Sequence, residues 1–149
     1  MEVFALLKDN ARAVQTLASY QSVEDAIRLM AGDDVNALVV TDNCRPVGIF
    51  RKSDVCRTYL RLKSSAFSEI ALKDAMSRNF VVAEPQDPID ELIARMIKVN
   101  TAYLPVIQDK KIVGMLTLVD LLKYQIEALD DEIYQLKEYI SDLHDAGQD

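Results

Sequence analysis

Apolar residues return along this chain in two alternating rhythms. From Val23 they recur at Ala26, Ile27 and Met30, the three-and-four spacing of one buried helical face. Ile89, Leu92, Ile93, Met96 and Ile97 repeat that spacing further on. After each of these stretches the rhythm changes. Ala37–Val40 and Val47–Phe50 are short continuous apolar runs joined by TDNCRP, and Tyr103–Ile107 and Ile112–Leu116 are joined by QDKK. Such runs predict hairpins whose strands are covered on both faces. Short extended pieces are expected at Val14–Leu17 and Phe80–Ala83, and a second helix is expected after each hairpin.

The two sets are copies of one unit. At an offset of 66 positions, Ser22-Val-Glu-Asp-Ala-Ile-Arg-Leu-Met30 falls on Pro88-Ile-Asp-Glu-Leu-Ile-Ala-Arg-Met96, Val47-Gly48 on Val113-Gly114, and Asp54 on Asp120. No gap is needed from Val14 to about Leu60. Each copy reads β-α-β-β-α, which predicts an α/β (α+β) fold with helices against a small mixed sheet. One copy is too small to bury much surface, so the two are expected to pack with pseudo-twofold symmetry. The expected limits are residues 1–63 for the first repeat, 64–123 for the second and 124–149 for a C-terminal helix.

Composition narrows the function classes. The chain of 149 residues has a net charge of −7, and the stretch from Glu127 to Asp149 alone carries eight acidic residues and one lysine. The rest balances to zero, so the body has no basic excess to track a nucleic acid and no field that repels a small anion. No apolar run approaches the ~20 residues of a membrane span, and no secretory leader is expected. Cys44 and Cys56 have neither zinc-type nor redox-type spacing and read as reduced thiols of a cytoplasmic protein. His144 is the single histidine, and there is no P-loop, GxGxxG or nucleophile elbow, so an enzyme is not expected.

The stretch LKDAMSRNFVVAEPQDPIDELIARMIKVNTAYLPVIQDKKIVGMLTLVDLL resembles a cystathionine-β-synthase (CBS) domain in its leading segment ending in Met, its Pro at the helix start, its Leu-Pro-Val strand and its Val-Gly followed by Thr-x-x-Asp. The first copy fits more loosely, with Arg51 where the family often has Ser or Thr and Val39 where the second copy has Pro105. Residues 5 to 126 thus resemble a tandem CBS pair, or Bateman module. The resemblance implies a regulatory module that binds an adenosine nucleotide (AMP, ADP, ATP or S-adenosylmethionine) in clefts between the repeats.

The matching stretches GIFRKSD (Gly48–Asp54) and GMLTLVD (Gly114–Asp120) then have two readings. In one, Thr117 and Asp120 form a capping box at a helix start. In the other, glycine admits a ligand close to the backbone, and the helix N-terminus faces phosphate. The resemblance implies ribose on Asp54 and Asp120, phosphate near Ser53 and Thr117, and cleft walls from Asn36, Ala37, Ala102 and Tyr103 with Val14 and Val81. Arg51 is either a phosphate fork or a solvated side chain. Capping is expected to explain Asp54 less well than Asp120, because Ser53 has no acid three residues on. A ligand-free dimerisation scaffold is the alternative to a nucleotide sensor.

Beyond Leu122, Ile126, Leu129, Ile133, Leu136, Ile140 and Leu143 step by three and four. Isoleucine at every a position and leucine at every d position favour a parallel two-stranded coil, with Glu132 at g and Lys137 at e able to pair between chains. Such a coil predicts a head-to-head homodimer, in which the bodies are expected to dimerise as well, because so few heptads are marginal alone. The alternative is a helix folded back on its own repeat. An output domain after Asp149 and a free-standing protein remain equally open.

Overall fold

In the computed structural model, residues 3–10 and 14–147 are described. A leading helix α1 (Val3–Asn10) is followed by β1 (Thr16–Ala18), α2 (Val23–Asp33), the hairpin β2 (Ala37–Asp42) and β3 (Arg45–Arg51), and α3 (Lys52–Arg61). The second repeat supplies α4 (Ile89–Val99), the hairpin β4 (Tyr103–Gln108) and β5 (Lys111–Thr117), and α5 (Leu118–Ala146). The fold is the mixed α/β pair with a long C-terminal helix. Strands β3 and β5, which are counterparts in the two repeats, meet each other. An element that touches its own equivalent is the mark of a twofold arrangement.

The duplication reaches into backbone detail. Among the described residues, six other than glycine have positive φ: Asp34, Asn43, Cys44, Asn100, Asp109 and Lys110. They form three pairs at the 66-residue offset. Asp34 and Asn100 are the left-handed C-caps of α2 and α4. Asn43-Cys44 and Asp109-Lys110 are the two-residue hairpin turns, whose paired positive φ values suit the twist of the flanking strands. Asn and Asp tolerate this region through local hydrogen bonds. Both hairpins carry a register shift at the same place, after Val40 and after Val106.

One expected symmetry fails. In the first repeat β1 runs parallel to β2, with Leu17 opposite Val40. The expected strand at Phe80–Ala83 is reduced to a single bridge between Ala83 and Val106. One ladder bond of the first repeat has no counterpart in the second. The Val39 N–H donates to the Gln15 carbonyl at 3.0 Å, and the matching position in β4 is Pro105, which has no N–H to give.

The two cores do not follow chain order. Val3 and Leu6 of α1 pack with Val81, Leu92, Met96, Leu104, Leu116 and Leu121 of the second repeat. The Val3 N–H also donates to the Asp87 carbonyl at 3.1 Å. Conversely, Ile70 and Leu72, in the segment that opens the second repeat, complete the first core with Val23, Met30, Leu38 and Phe50. Each repeat is closed by the segment that leads into the other. This crossing crowds the two glycines. A Cβ on Gly48 would run into Met76 Sδ and lie 3.0 Å from the Ser77 carbonyl oxygen, and one on Gly114 would lie 2.9 Å from Leu7 Cδ2. The space expected for a ligand beside these glycines is taken by the chain's own leading segments.

Candidate ligand-binding site

Both hairpins deliver their last strand straight into a helix, and the two junctions use different chemistry. At α5, Thr117 Oγ1 accepts from the Asp120 N–H at 3.1 Å and Asp120 Oδ2 accepts from the Thr117 N–H at 2.9 Å, a complete capping box. At α3, Asp54 Oδ2 likewise accepts from the Arg51 N–H at 2.9 Å. The expectation that capping explains Asp54 less well is therefore corrected. The acid reaches back to the N-cap amide whatever side chain that residue bears. Arg51 adds a fork of its own, with Nε and Nη2 each 3.1 Å from the Asp54 carboxylate oxygens. Arg57 approaches the same group at 3.4 Å. Asp54 is 3% exposed, so this is a nearly buried carboxylate held by two guanidinium groups. Arg51 is neither the solvated side chain nor the open phosphate fork considered from sequence; it is the partner of Asp54.

Two clefts flank these junctions. The more enclosed one, of about 220 Å³, opens where the hairpins meet. Asn36 and Ala37 of the first repeat line it together with Tyr103 and Thr117 of the second. Residues expected in two separate clefts thus share one, and Gln15, Asp34, Val35 and Met115 complete its walls. The other cleft, of about 460 Å³, lies between α3 and residues 75–79 and has Asp54 on its helical side. Both clefts adjoin the Arg51–Asp54 pair, because Asp54 lines the larger one and Ala37 of the smaller one is the register partner of Arg51. The linings of these clefts do not include Arg51, Ser53, Val14, Ala102 or Asp120. Ser53 is exposed on the first turn of α3, Val14 is half-buried beside Gln15, and the Ala102 carbonyl accepts from the Leu118 N–H at 2.8 Å. Val81 is corrected from cleft wall to core residue, since it is 4% exposed and packs among the second repeat's apolar side chains.

Two groups of residues escaped the sequence reading. Arg57 and Arg61 sit one turn apart on α3 and line the larger cleft with Arg78 from the linker. Their helical spacing was visible, but nothing in the sequence announces that Arg78 joins them. The second group is Val119 and Leu122. They continue the a and d steps back to the first turn of α5, and both are exposed. The same three-and-four counting finds them once Thr117–Asp120 is seen as a helix start. The seam from Val119 to Leu143 therefore begins between the two capping residues. Its isoleucines and leucines beyond Leu122 are 48–58% exposed, and residues 133–145 are exposed throughout, so this part of α5 does not fold back on its own repeat.

Among the described residues no cluster of His, Cys, Asp and Glu is arranged to hold a metal ion, and no helix is long and apolar enough to cross a membrane.

Comparison with known proteins gives a consistent picture. The family model for the CBS domain matches twice, at residues 10–61 and 72–127. A solved CBS-domain protein, NE2398, superposes with a TM-score of 0.72 at 28% identity, covering 85% of this chain and 98% of that one. The CBS domain pair of protein MJ0100, solved with 5′-methylthioadenosine and S-adenosyl-L-methionine, has a TM-score of 0.68 at 23% identity, covering 86% and 98%. Among curated relatives, a homoserine O-acetyltransferase of Methanohalobium evestigatum is 29% identical over 72% of this chain, and an L-aspartate semialdehyde sulfurtransferase of Methanocaldococcus jannaschii is 26% identical over 71%. The matched regions span 21% and 20% of those two proteins, about a fifth of their length.

Proposed function

This chain belongs to the CBS-domain family and carries the domain twice, and on that premise we propose that it senses an adenosine compound at the junction of its repeats. A CBS pair is a regulatory module and not a catalytic one. The observation that carries the ligand reading is the convergence of Asn36 and Ala37 with Tyr103 and Thr117 in one cleft. A purine ring there meets strand backbone on one side and an aromatic side chain on the other. The adenosine compounds held by MJ0100 on the same fold support that ligand class. AMP, ADP, ATP and S-adenosylmethionine are the candidates, and ligand occupancy would be reported through the geometry of a cytoplasmic homodimer to an output domain or partner protein. The long exposed seam of α5 supports a parallel, head-to-head pairing of two copies.

A ligand-free dimerisation scaffold is the second reading. It is favoured by the internal partners already held by the Asp54 carboxylate and by the Thr117–Asp120 cap. Thermal unfolding separates the two, because a compound that binds only the native state raises the melting temperature. Sensing predicts a concentration-dependent rise with at least one adenosine compound, weakened in Tyr103→Ala. No rise with any of the four candidates leaves the scaffold.

A further inference from the structure

We propose that the larger cleft, beside α3, is a polyphosphate site that makes this module selective for nucleoside di- and triphosphates over S-adenosylmethionine and uncharged adenosine compounds. The inference rests on the sensing reading above and assigns it a ligand class. Arg57 and Arg61 come from successive turns of α3, and Arg78 faces them from the linker. The lining holds one acidic residue, Asp54, whose carboxylate is forked by Arg51 and approached by Arg57 at 3.4 Å. Three guanidinium groups therefore share an open cleft of about 460 Å³ with one carboxylate, itself forked by Arg51, so the cleft keeps an excess of positive charge.

The cradle is anchored. Arg61 Nη2 donates to the Asp74 carbonyl, and Arg78 Nη2 donates to the Lys73 carbonyl at 3.5 Å. Both arginines thus hang from the same short turn, Leu72–Asp74, with their remaining N–H groups able to fork onto phosphate oxygens. Ser77 and Asn79 add a hydroxyl and an amide beside them. The second repeat lacks this set at the described equivalents. The 66-residue offset puts Lys123 at the position of Arg57, Tyr124 at that of Thr58 and Glu127 at that of Arg61. The smaller cleft has no cationic residue in its lining. The smaller cleft is therefore suited to a base and the larger one to an anionic tail, and both adjoin the Arg51–Asp54 pair.

The test is calorimetry on the full chain with ATP, ADP, AMP, adenosine, S-adenosylmethionine and inorganic triphosphate. Each charge-assisted contact is worth about a tenfold change in affinity. ATP is expected to bind at least about tenfold more tightly than AMP, with affinity falling as salt rises. In Arg57→Gln/Arg78→Gln, ATP affinity is expected to drop toward that of AMP while AMP changes little; Arg28→Gln, on the exposed face of α2, serves as the charge control. Circular dichroism melts confirm that the variants fold. Equal affinity for ATP, AMP and adenosine overturns the inference and leaves the sensing reading standing. Binding of triphosphate without any adenosine compound overturns the sensing reading and keeps an anion site. Tight S-adenosylmethionine binding with none by ATP overturns the inference, and silence from all six compounds overturns both.

Discussion

At the same point of the duplicated unit, one repeat places Arg51-Lys-Ser-Asp54 and the other Thr117-Leu-Val-Asp120. The acid at the third helical position does the same work in both, accepting from the N-cap amide at 2.9 Å. The cap is what duplication preserved. The N-cap side chain is where the copies parted. Thr117 closes a neutral box with the backbone, whereas Arg51 turns the same corner into an ion pair that borders a cationic cleft. The helices that follow diverge further. α3 stops after 10 residues, while α5 runs for 29, about 43 Å at 1.5 Å per residue. A duplicated frame can thus carry a charged corner in one copy and a long exposed apolar stripe in the other without altering the fold.

The largest expected effect breaks the assembly half of that contrast. Ile133 stands at an a position, 50% exposed in the single chain. Ile133→Asp places a carboxylate from each partner in the apolar seam and is expected to weaken dimerisation by about a hundredfold or more. Light scattering across a concentration series reads this directly. In a Cys44→Ser, Cys56→Ser background, Leu143→Cys should form a disulfide with its own copy, because a parallel coil sets equal d positions side by side. A monomeric parent chain, or a dimer indifferent to Ile133→Asp, removes the coil.

Next comes the contrast between the two acids. Asp54→Ala leaves the Arg51 amide and a partly buried guanidinium without their acceptor, and is expected to cost about 3 kcal/mol. Asp120→Ala loses the reciprocal cap and is expected to cost about 1–2 kcal/mol. Urea midpoints measured at one pH compare them. Equal losses would mean that the Arg51–Asp54 pair contributes nothing beyond the cap.

Much of this molecule was legible before its structure. Both helical faces and both hairpins follow from apolar spacing, with limits shifted by a residue or two where the turns proved to be two residues long. The caps were legible as spacing, although Asp54 was misjudged because a hydroxyl was sought at the wrong residue. The crossing of leading segments was not legible, because Val3 and Leu6 are apolar in any arrangement and nothing local says which core they complete. For the same reason the glycines were read toward a ligand, when Met76 and Leu7 occupy the space beside them. The arginine cradle depends on a contact between α3 and a linker without regular structure, and periodicity carries no information about such a meeting. The shared cleft of Asn36, Ala37, Tyr103 and Thr117 was half visible. These four residues are expected from sequence in two separate clefts, and their meeting in one follows from how β3 meets β5, which one repeat alone cannot reveal.

The smallest expected effect sharpens the remaining asymmetry, between β1 and its lost counterpart. Pro105→Val restores an N–H at the position where Val39 donates to Gln15. The new amide is expected to donate to the Val81 carbonyl and extend the single Ala83 bridge toward a strand. The net gain in a folded protein is of order 1 kcal/mol for such a bond, reduced by the greater freedom that valine gives the unfolded chain. The expected change in stability is therefore within about 0.5 kcal/mol of zero. Hydrogen exchange is the sharper readout, because protection of the introduced amide comparable to that of Val39 requires the new bond, whatever the balance of stabilities. Rapid exchange at that amide would mean that the leading segment is held away from β4 by something other than proline, and that the single missing N–H does not explain the broken symmetry.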